Sequence, residues 1–236
     1  MIASQFPYLK VILPTAPTQR VTMNMGMPMP SWYDITGLDE RSNENCVGIQ
    51  DSRTTLESIL ETEHVMTGLP YQRMVLMGFS QGGALSLFTG FQLPQQLAGI
   101  VCLSAYVPAV SQLSMKHPQT PTLHCHGMSD PLVTHAIALK TKQLLLDRGA
   151  TAYELKSYPG LQHSINMDEL KDVKGFLSKV LPMDGTCNIK VKEAKNMSVK
   201  ELRVAIQKAG LSHKAVGLFD KQEFVSLLQD YRDGKL

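Results

Sequence analysis

Short apolar runs alternate with amphipathic stretches along most of the chain. The apolar runs predict strands at 8–14, 73–79, 97–105, 121–127 and 152–158, and the stretches between them predict helices at 47–66, 81–93, 135–148 and 167–181. Strands that are apolar throughout, without alternation, are typical of a parallel sheet covered on both faces. The pattern therefore predicts an α/β fold in which helices pack on a parallel sheet.

Two stretches depart from this alternation. Residues 15–45 are rich in proline, methionine, glycine and asparagine and have no period, which predicts a long functional surface loop. Residues 183–197 are polar and lysine-rich, which predicts a linker. Ser198 and Glu201 fit the capping-box pattern at the start of one helix. The spacing of Phe224, Leu227, Leu228 and Tyr231 is typical of a second, amphipathic helix. Residues 198–236 therefore predict a small helix–loop–helix appendage.

Composition and charge limit the class of protein. The 236 residues are 43% hydrophobic and 19% charged, which is typical of a folded globular chain. Residues 1–186 carry 13 basic against 15 acidic side chains, whereas residues 187–236 carry 10 against 6. The sequence has no apolar run of 18 residues and no secretory leader pattern, so we expect a cytoplasmic protein. The four cysteines have no Cys-x-x-Cys spacing, which favours thiols over disulfides or metal ligands.

A serine lies in a tight turn between a predicted strand and a predicted helix. The stretch Gly78–Gly82, Gly-Phe-Ser-Gln-Gly, fits the pattern Gly-x-Ser-x-Gly, and Gly83 follows it. In this context the pattern is typical of a nucleophilic serine, because glycines let the strand and the helix approach each other closely. The backbone N–H of Gln81, at the start of the helix, is suited to stabilise an oxyanion. We therefore predict Ser80 as the nucleophile and Gln81 as an oxyanion donor.

A serine nucleophile needs a base, and the base needs an acid that orients it. These partners follow the serine in the order acid, then histidine, after later strands of the sheet. Asp130 follows the fourth predicted strand and His163 the fifth. The alternative for Asp130 is a turn-forming residue before Pro131, and His124 and His126 fit packed strand histidines. The remaining candidates fall on loops, on solvated helix faces or in the appendage: His64, His117, His135, His213, Asp147, Asp168 and Glu169.

Several segments together resemble the acyl-protein thioesterase/lysophospholipase family of α/β-hydrolases. The matching segments are "PTAPTQRVTMNMGMPMPSWYDITGL", "GFSQGGALSL", "LAGIVCLSAYVP", "LHCHGMSDPLV" and "HSINMDELKDVKGFLSKVLP". The resemblance runs from about Tyr8 to Pro182, so we expect an α/β-hydrolase domain over residues 1–182. It implies a doubly wound, mostly parallel sheet and a cytoplasmic serine esterase that needs no cofactor and no metal.

The resemblance also implies a substrate class and a set of site residues. Family members cleave S-palmitoyl thioesters on proteins, lysophospholipids and small esters through an acyl-enzyme. Ser80, Asp130 and His163 match the family's triad positions. By the same resemblance Met23, Met25 and Trp32 border the acyl-binding channel, and the alternative is a loop that packs on the core. The expected partners are S-acylated proteins or lysophospholipids, together with transient contact with a membrane surface.

The chain departs from the family pattern at its start and at its end. The family normally begins with a further strand and a His-Gly-x-Gly-Asp loop that supplies a second oxyanion donor, whereas only seven residues precede Tyr8. We therefore expect a sheet without the family's N-terminal strands, and the alternative function is an acyl-binding pseudoenzyme with impaired catalysis. The appendage is faintly similar to SAP-like modules. Its basic charge suits acidic surfaces, but it lacks the interleaved aromatic residues of nucleic-acid binders, so we expect no nucleic-acid partner.

Overall fold

Two sheets and six α-helices make up the part of the chain that the computed structural model describes, which is residues 6–37, 44–188 and 192–236. The strands are β1 Thr18–Val21, β2 Met27–Pro30, β3 Val75–Phe79, β4 Gly99–Leu103, β5 Thr122–Gly127 and β6 Tyr153–Tyr158. The helices are α1 Ile49–Thr67, α2 Gln81–Gly90, α3 His135–Asp147, α4 Met167–Val180, α5 Val199–Lys208 and α6 Lys221–Arg232.

The larger sheet is parallel, in the order β3-β4-β5-β6. The central strands β4 and β5 are buried along their whole length, as their continuous apolar sequences predict. β3 is connected to β4 through α2 and β5 to β6 through α3, as parallel neighbours usually are, whereas the crossover from β4 to β5 contains only a short 3-10 helix, Val110–Gln112. The predicted α/β fold is confirmed, with element bounds within a few residues of the prediction.

The main core lies on one face of this sheet. Val101 and Leu103 of β4 and Leu123 of β5 pack there with Val173 and Leu177 of α4. The opposite face of β4 meets α2, whose residues from Gly83 to Gly90 are all buried. With both faces covered, the sheet presents its strand ends, where the loops that follow β3, β5 and β6 carry the polar side chains described below.

The predicted strand at 8–14 is wrong, because the structure places none of its residues in a strand. Val11, Ile12 and Leu13 are exposed, Leu13 by 86%. An apolar run indicates a strand only where a neighbouring strand can accept its hydrogen bonds, and the run ends at Pro14, which has no N–H to donate. Within the described residues the parallel sheet therefore begins at β3.

The predicted surface loop at 15–45 contains an unpredicted hairpin. Strands β1 and β2 pair antiparallel, with Thr18 opposite Pro30 and Val21 opposite Met27. All four residues of β2 are exposed, so the hairpin has no apolar alternation that sequence analysis detects. Residues 38–43 of the predicted loop lie outside the described part of the chain.

The described chain separates into two compact units. The first comprises residues 1–57 and 71–183, and the second comprises residues 58–70 and 184–236. The second unit therefore includes a stretch that the sequence-based division at residue 182 does not assign to it. Residues 189–191 of the predicted linker lie outside the described residues.

The predicted appendage forms two capped helices. Ser198 begins α5 and Asp220 begins α6, each through a complete capping box. Leu202 and Ile206 of α5 pack against Leu228 of α6, together with Phe224, Val225 and Met66. The predicted helix–loop–helix is confirmed, and it has a small core of its own. No helix among the described residues is long and apolar enough to cross a bilayer.

Candidate active site

Ser80 lies at the turn between β3 and α2. Its backbone has φ 52° and ψ −121°, which is an unusual conformation for a residue other than glycine. Its N–H donates to the carbonyl of Leu103 at 2.8 Å and so extends the β3–β4 ladder by one residue. Its carbonyl accepts from Ala84 at 3.0 Å, as the first bond of α2. Strand and helix therefore fix this strained residue from both sides.

Glycines make this turn possible, but not all of those that the motif contains. A Cβ on Gly78 would lie 2.2 Å from the carbonyl carbon of Gly82, and a Cβ on Gly83 would lie 2.8 Å from Cβ of Ala105. A Cβ on Gly82 would have no atom within 4 Å. The expectation that glycine is needed on both sides of Ser80 is therefore wrong for Gly82, and the steric demand falls on Gly78 and Gly83.

Asp130 and His163 extend a chain of hydrogen bonds from Ser80. His163 Nε2 lies 3.0 Å from Ser80 Oγ, and His163 Nδ1 lies 2.7 Å from Asp130 Oδ2. The Asp130 side chain is fully buried, whereas that of His163 is 14% exposed. Asp130 Oδ1 accepts from the N–H groups of Leu132 at 2.8 Å and Val133 at 3.0 Å. Because a carboxylate only accepts, Nδ1 of His163 carries the proton and Nε2 is left to accept from the serine.

Backbone contacts hold the two loops that carry Asp130 and His163 against each other. Ser129 N–H donates to the Leu161 carbonyl at 3.0 Å, and Met128 N–H donates to the Tyr158 carbonyl at 2.9 Å. A Cβ on Gly127 would lie 2.2 Å from the Leu161 oxygen, so only glycine fits at the end of β5. The separation of the acid from the histidine is therefore set by main chain rather than by flexible side chains.

Two buried histidines support the Asp130 turn from behind. His126 Nε2 lies 2.7 Å from the Val133 carbonyl and 3.7 Å from Asp130 Oδ2, and Nε2 of His124 lies 3.1 Å from Nδ1 of His126. Tyr153 OH lies 2.5 Å from His124 Nδ1. Burial lowers the pKa of His124 to about 3 and also lowers the pKa of His126, so both rings are neutral.

These contacts define one proton arrangement. A carbonyl oxygen only accepts, so His126 Nε2 carries a proton and its Nδ1 accepts from His124 Nε2–H. His124 Nδ1 then accepts from the Tyr153 hydroxyl. The prediction that His124 and His126 are packed and hydrogen-bonded strand residues is confirmed, and sequence analysis missed only their link to the Asp130 turn.

Gln81 contributes both its main chain and its side chain to the Ser80 turn. As the first residue of α2, it has an N–H without an acceptor within the helix, and this N–H lies beside Ser80. Its side-chain amide accepts from Trp32 N–H at 3.0 Å and donates to Ser31 Oγ at 2.8 Å and to the Tyr33 carbonyl at 2.9 Å. The side chain therefore ties the segment 31–33 to the turn, a role that no sequence pattern indicated.

The three residues expected at the acyl channel lie on two different segments. Met23 and Met25 lie at the tip of the β1–β2 hairpin, where Met25 is 85% exposed, and Trp32 lies in the segment held by Gln81. Trp32 alone of the three is joined by hydrogen bonds to the nucleophile turn. Their contact with an acyl chain stays a prediction.

One acidic side chain lies elsewhere than expected. Glu169 is fully buried, although the sequence placed it on a solvated helix face. Its Oε2 accepts from Asn166 N–H at 3.1 Å in the capping box of α4, which turns the side chain inward, and its Oε1 has no hydrogen-bond partner in the described part of the chain. Burial raises its pKa above the usual range. Among the described residues no three histidine, cysteine or acidic side chains are grouped as a metal site requires.

Comparison with known proteins identifies the family. The sequence profile of the phospholipase/carboxylesterase family matches residues 1–181. The chain belongs to this family. Acyl-protein thioesterase 1 from Mycosarcoma maydis is 36% identical over 190 residues, which cover 74% of this chain and 79% of that protein. Acyl-protein thioesterase 1 from Cryptococcus neoformans is 37% identical over 199 residues, which cover 77% of this chain and 84% of that protein.

Solved structures agree with this assignment. The crystal structure of Arabidopsis thaliana SOBER1 is similar with a TM-score of 0.64 and 28% identity, over 76% of this chain and 90% of that chain. Membership of the phospholipase/carboxylesterase family confirms the resemblance and the α/β-hydrolase fold, and it makes the chain a hydrolase of carboxylic ester bonds. The family match ends at residue 181, so most of the second unit lies outside it.

Proposed function

We propose that this carboxylesterase-family chain is a cytoplasmic serine hydrolase that cleaves S-acyl thioesters on proteins and related carboxylic or lysophospholipid esters. The observation that carries the proposal is the hydrogen-bonded chain from Ser80 through His163 to Asp130. The thioester preference is supported by similarity to two fungal proteins named acyl-protein thioesterase 1. S-acylated proteins are therefore the proposed substrates, with lysophospholipids as related esters.

The arrangement assigns each side chain a step. Ser80 Oγ attacks the acyl carbonyl carbon while its proton moves to His163 Nε2, and Asp130 stabilises the imidazolium through Nδ1–H. The carbon–sulfur or carbon–oxygen bond then breaks, and His163 gives the proton to the leaving thiol or alcohol. The acyl group remains on Ser80 until a water molecule, deprotonated by His163, attacks it. Collapse of that intermediate releases the carboxylic acid and restores the serine hydroxyl.

Stabilisation of the negatively charged intermediate is assigned to Gln81. Its N–H lies at the positive end of the α2 dipole, directly after the nucleophile. Removing one such donor typically lowers kcat by about 10²–10³-fold. A protein with Gln81 as its single donor would therefore be a slow hydrolase, which is why the acyl-binding pseudoenzyme is the alternative to test.

Acyl binding is assigned to the segment that Gln81 holds and to the neighbouring hairpin. Trp32 follows Ser31, whose hydroxyl bonds to the Gln81 amide, so this segment is held next to the Ser80 turn, where an acyl chain would be bound. Met23 and Met25 offer flexible apolar side chains at the hairpin tip. Flexible thioethers suit chains of varied length.

Replacement of the nucleophile tests the proposal. We expect Ser80→Ala to lower turnover of a short-chain p-nitrophenyl ester and of a palmitoyl thioester by about 10⁴-fold or more. Ser164→Ala is the matched control, since Ser164 is exposed next to His163 and has no place in the mechanism. Circular dichroism verifies that both variants fold. Turnover that survives Ser80→Ala contradicts the assignment.

A fluorophosphonate probe separates the proposal from its alternative. Such probes form a bond only with an activated serine, so mass spectrometry should find the label on Ser80 in wild type and none in Ser80→Ala. Folded wild-type protein that binds a fluorescent acyl chain but takes no label would establish the pseudoenzyme instead.

A further inference from the structure

The second unit has an exposed apolar loop, Val216 to Phe219, between α5 and α6. Phe219 is 92% exposed and Val216 is 82% exposed, while Leu218 between them packs into the unit's core. The loop therefore has one side chain directed into the unit and two directed to solvent. Nothing in the mechanism proposed above uses these residues.

The exposure of Phe219 is held by the backbone. Phe219 N–H donates to Glu223 Oε2 at 2.8 Å, as does Asp220 N–H, and Asp220 Oδ1 accepts from Gln222 N–H at 3.0 Å. The start of α6 therefore fixes the main chain on which Phe219 stands. A side chain in a fixed position loses less conformational freedom when it inserts into a partner.

Phe219 does not make the contact that is usual for a hydrophobic residue at its position before a helix. Phe219 precedes the Asp220 N-cap, and a hydrophobic residue there commonly packs on the fourth residue of the helix, here Phe224. Phe224 is instead buried in the core, with the Arg203 guanidinium 5.3 Å from its ring centroid. Phe219 is thus left in water, although burying its ring would be favourable.

Two lysines flank the loop. Lys214 lies two residues before Val216, and Lys221 lies two residues after Phe219, with Nζ 3.3 Å from the Lys195 carbonyl. The acidic side chains within the loop's reach, Asp220 and Glu223, accept hydrogen bonds from backbone N–H groups at the positive end of α6. Lys195 is itself paired with Glu193, both largely exposed. Among the described residues, neither Lys214 nor Lys221 is paired with a carboxylate.

We propose that the Val216–Phe219 loop docks the protein on the surface of an anionic phospholipid bilayer. Phe219 and Val216 insert at the boundary between headgroups and acyl chains, while Lys214 and Lys221 stay at the headgroup level and contact phosphate or carboxylate groups. Charge complementarity favours this partner, since residues 187–236 carry 10 basic against 6 acidic side chains. A purely apolar protein groove would need no flanking lysines.

Vesicle sedimentation with the full chain tests this docking. We expect wild type to sediment with phosphatidylcholine vesicles that contain phosphatidylserine, and much less with phosphatidylcholine alone. Phe219→Ser should weaken binding to the anionic vesicles by about tenfold, and Lys214→Gln with Lys221→Gln by about fivefold for each charge at low salt. Val204→Ser, an exposed residue of α5, is the matched control and should bind as wild type does.

A second variant keeps a large aromatic side chain and reports its surroundings by fluorescence. Emission that Phe219→Trp adds to the wild-type spectrum should shift to shorter wavelength with anionic vesicles, because the ring leaves water. Ester hydrolysis at the wild-type rate verifies that the first unit is intact. The proposal would be overturned if Phe219→Ser sedimented with anionic vesicles as wild type does, or if the Phe219→Trp spectrum did not change when anionic vesicles were added. The binding partner of the loop would then be a groove on another protein.

Discussion

Ser80 has backbone angles that residues other than glycine rarely adopt. Its φ of 52° is stabilised by a ladder bond on the strand side and the first helix bond on the other, while Gly78 and Gly83 remove the atoms that would block the turn. A hydroxyl held in this way needs no rearrangement before it meets His163. Strain at one residue is thus compensated by two regular elements.

The glycines of the turn differ in a testable way. We expect Gly78→Ala to destabilise the protein by several kcal/mol or to prevent folding, because its Cβ would lie within 2.5 Å of the Gly82–Gly83 backbone. Gly82→Ala has open space and should leave stability unchanged or raise it by up to about 1 kcal/mol, since alanine favours helix. Urea unfolding measures both. Equal destabilisation by the two substitutions would contradict the turn described here.

Position along the chain was enough to predict which residues come together at the strand ends. Ser80, Asp130 and His163 each follow a strand end, so strand prediction brought them to one edge of the sheet. Glu169 and the Gln81 side chain were not predicted, because their roles depend on which way a side chain turns at a helix start. A capping residue at the surface and one directed inward have the same sequence pattern.

At the scale of elements, β5 joins the core to the site. Its His124 and His126 alternate with apolar residues of the main core, so one face of the strand is a buried polar chain that ends at the Asp130 turn. Such a chain stays intact only while both rings are neutral. Acid should therefore affect this strand before it affects apolar ones.

Replacement of His124 tests that expectation. Its pKa is about 3 in the folded protein, against about 6.5 when unfolded, so between about pH 6.5 and about pH 3 the unfolded chain binds a proton that the native one does not. Stability should fall with decreasing pH by up to about 1.4 kcal/mol per unit from this residue. His124→Gln should reduce that slope. Urea unfolding across the acid range measures it, and parallel profiles for wild type and His124→Gln would disprove the account.

Element prediction succeeded for buried elements and failed for exposed ones. Strands β3–β6 and the helices between them bury apolar residues, so periodicity marks them. The run at 8–14 has the same composition but no strand neighbour among the described residues, and β2 pairs without burying any side chain. Pairing is a long-range event that an isolated stretch does not encode.

At the scale of the whole molecule, two units have separate cores. The first packs helices on the parallel sheet, and the second packs α5 and α6 with residues 58–70. Leu177 is buried in the first core and Leu228 in the second. Both residues are leucines and both are buried, so the effects of replacing them can be compared directly.

This pair of leucines offers a matched test of the division. We expect Leu228→Ala to cost about 2–5 kcal/mol in the second unit and to speed amide hydrogen exchange in α5 and α6, while exchange in β3–β6 and ester hydrolysis stay unchanged. Leu177→Ala should speed exchange in β4–β6 instead. Acceleration throughout the chain by either substitution would mean that the units unfold as one.

The hydrogen bonds of the Gln81 side-chain amide predict which positions change together among relatives of this chain. Its oxygen accepts from Trp32 N–H, and its two N–H groups donate to Ser31 Oγ and to the Tyr33 carbonyl, so both donors are used. In a relative with an apolar residue at position 31, one of those N–H groups would lie beside Ser80 without an acceptor. We therefore expect positions 31 and 81 to change together among relatives.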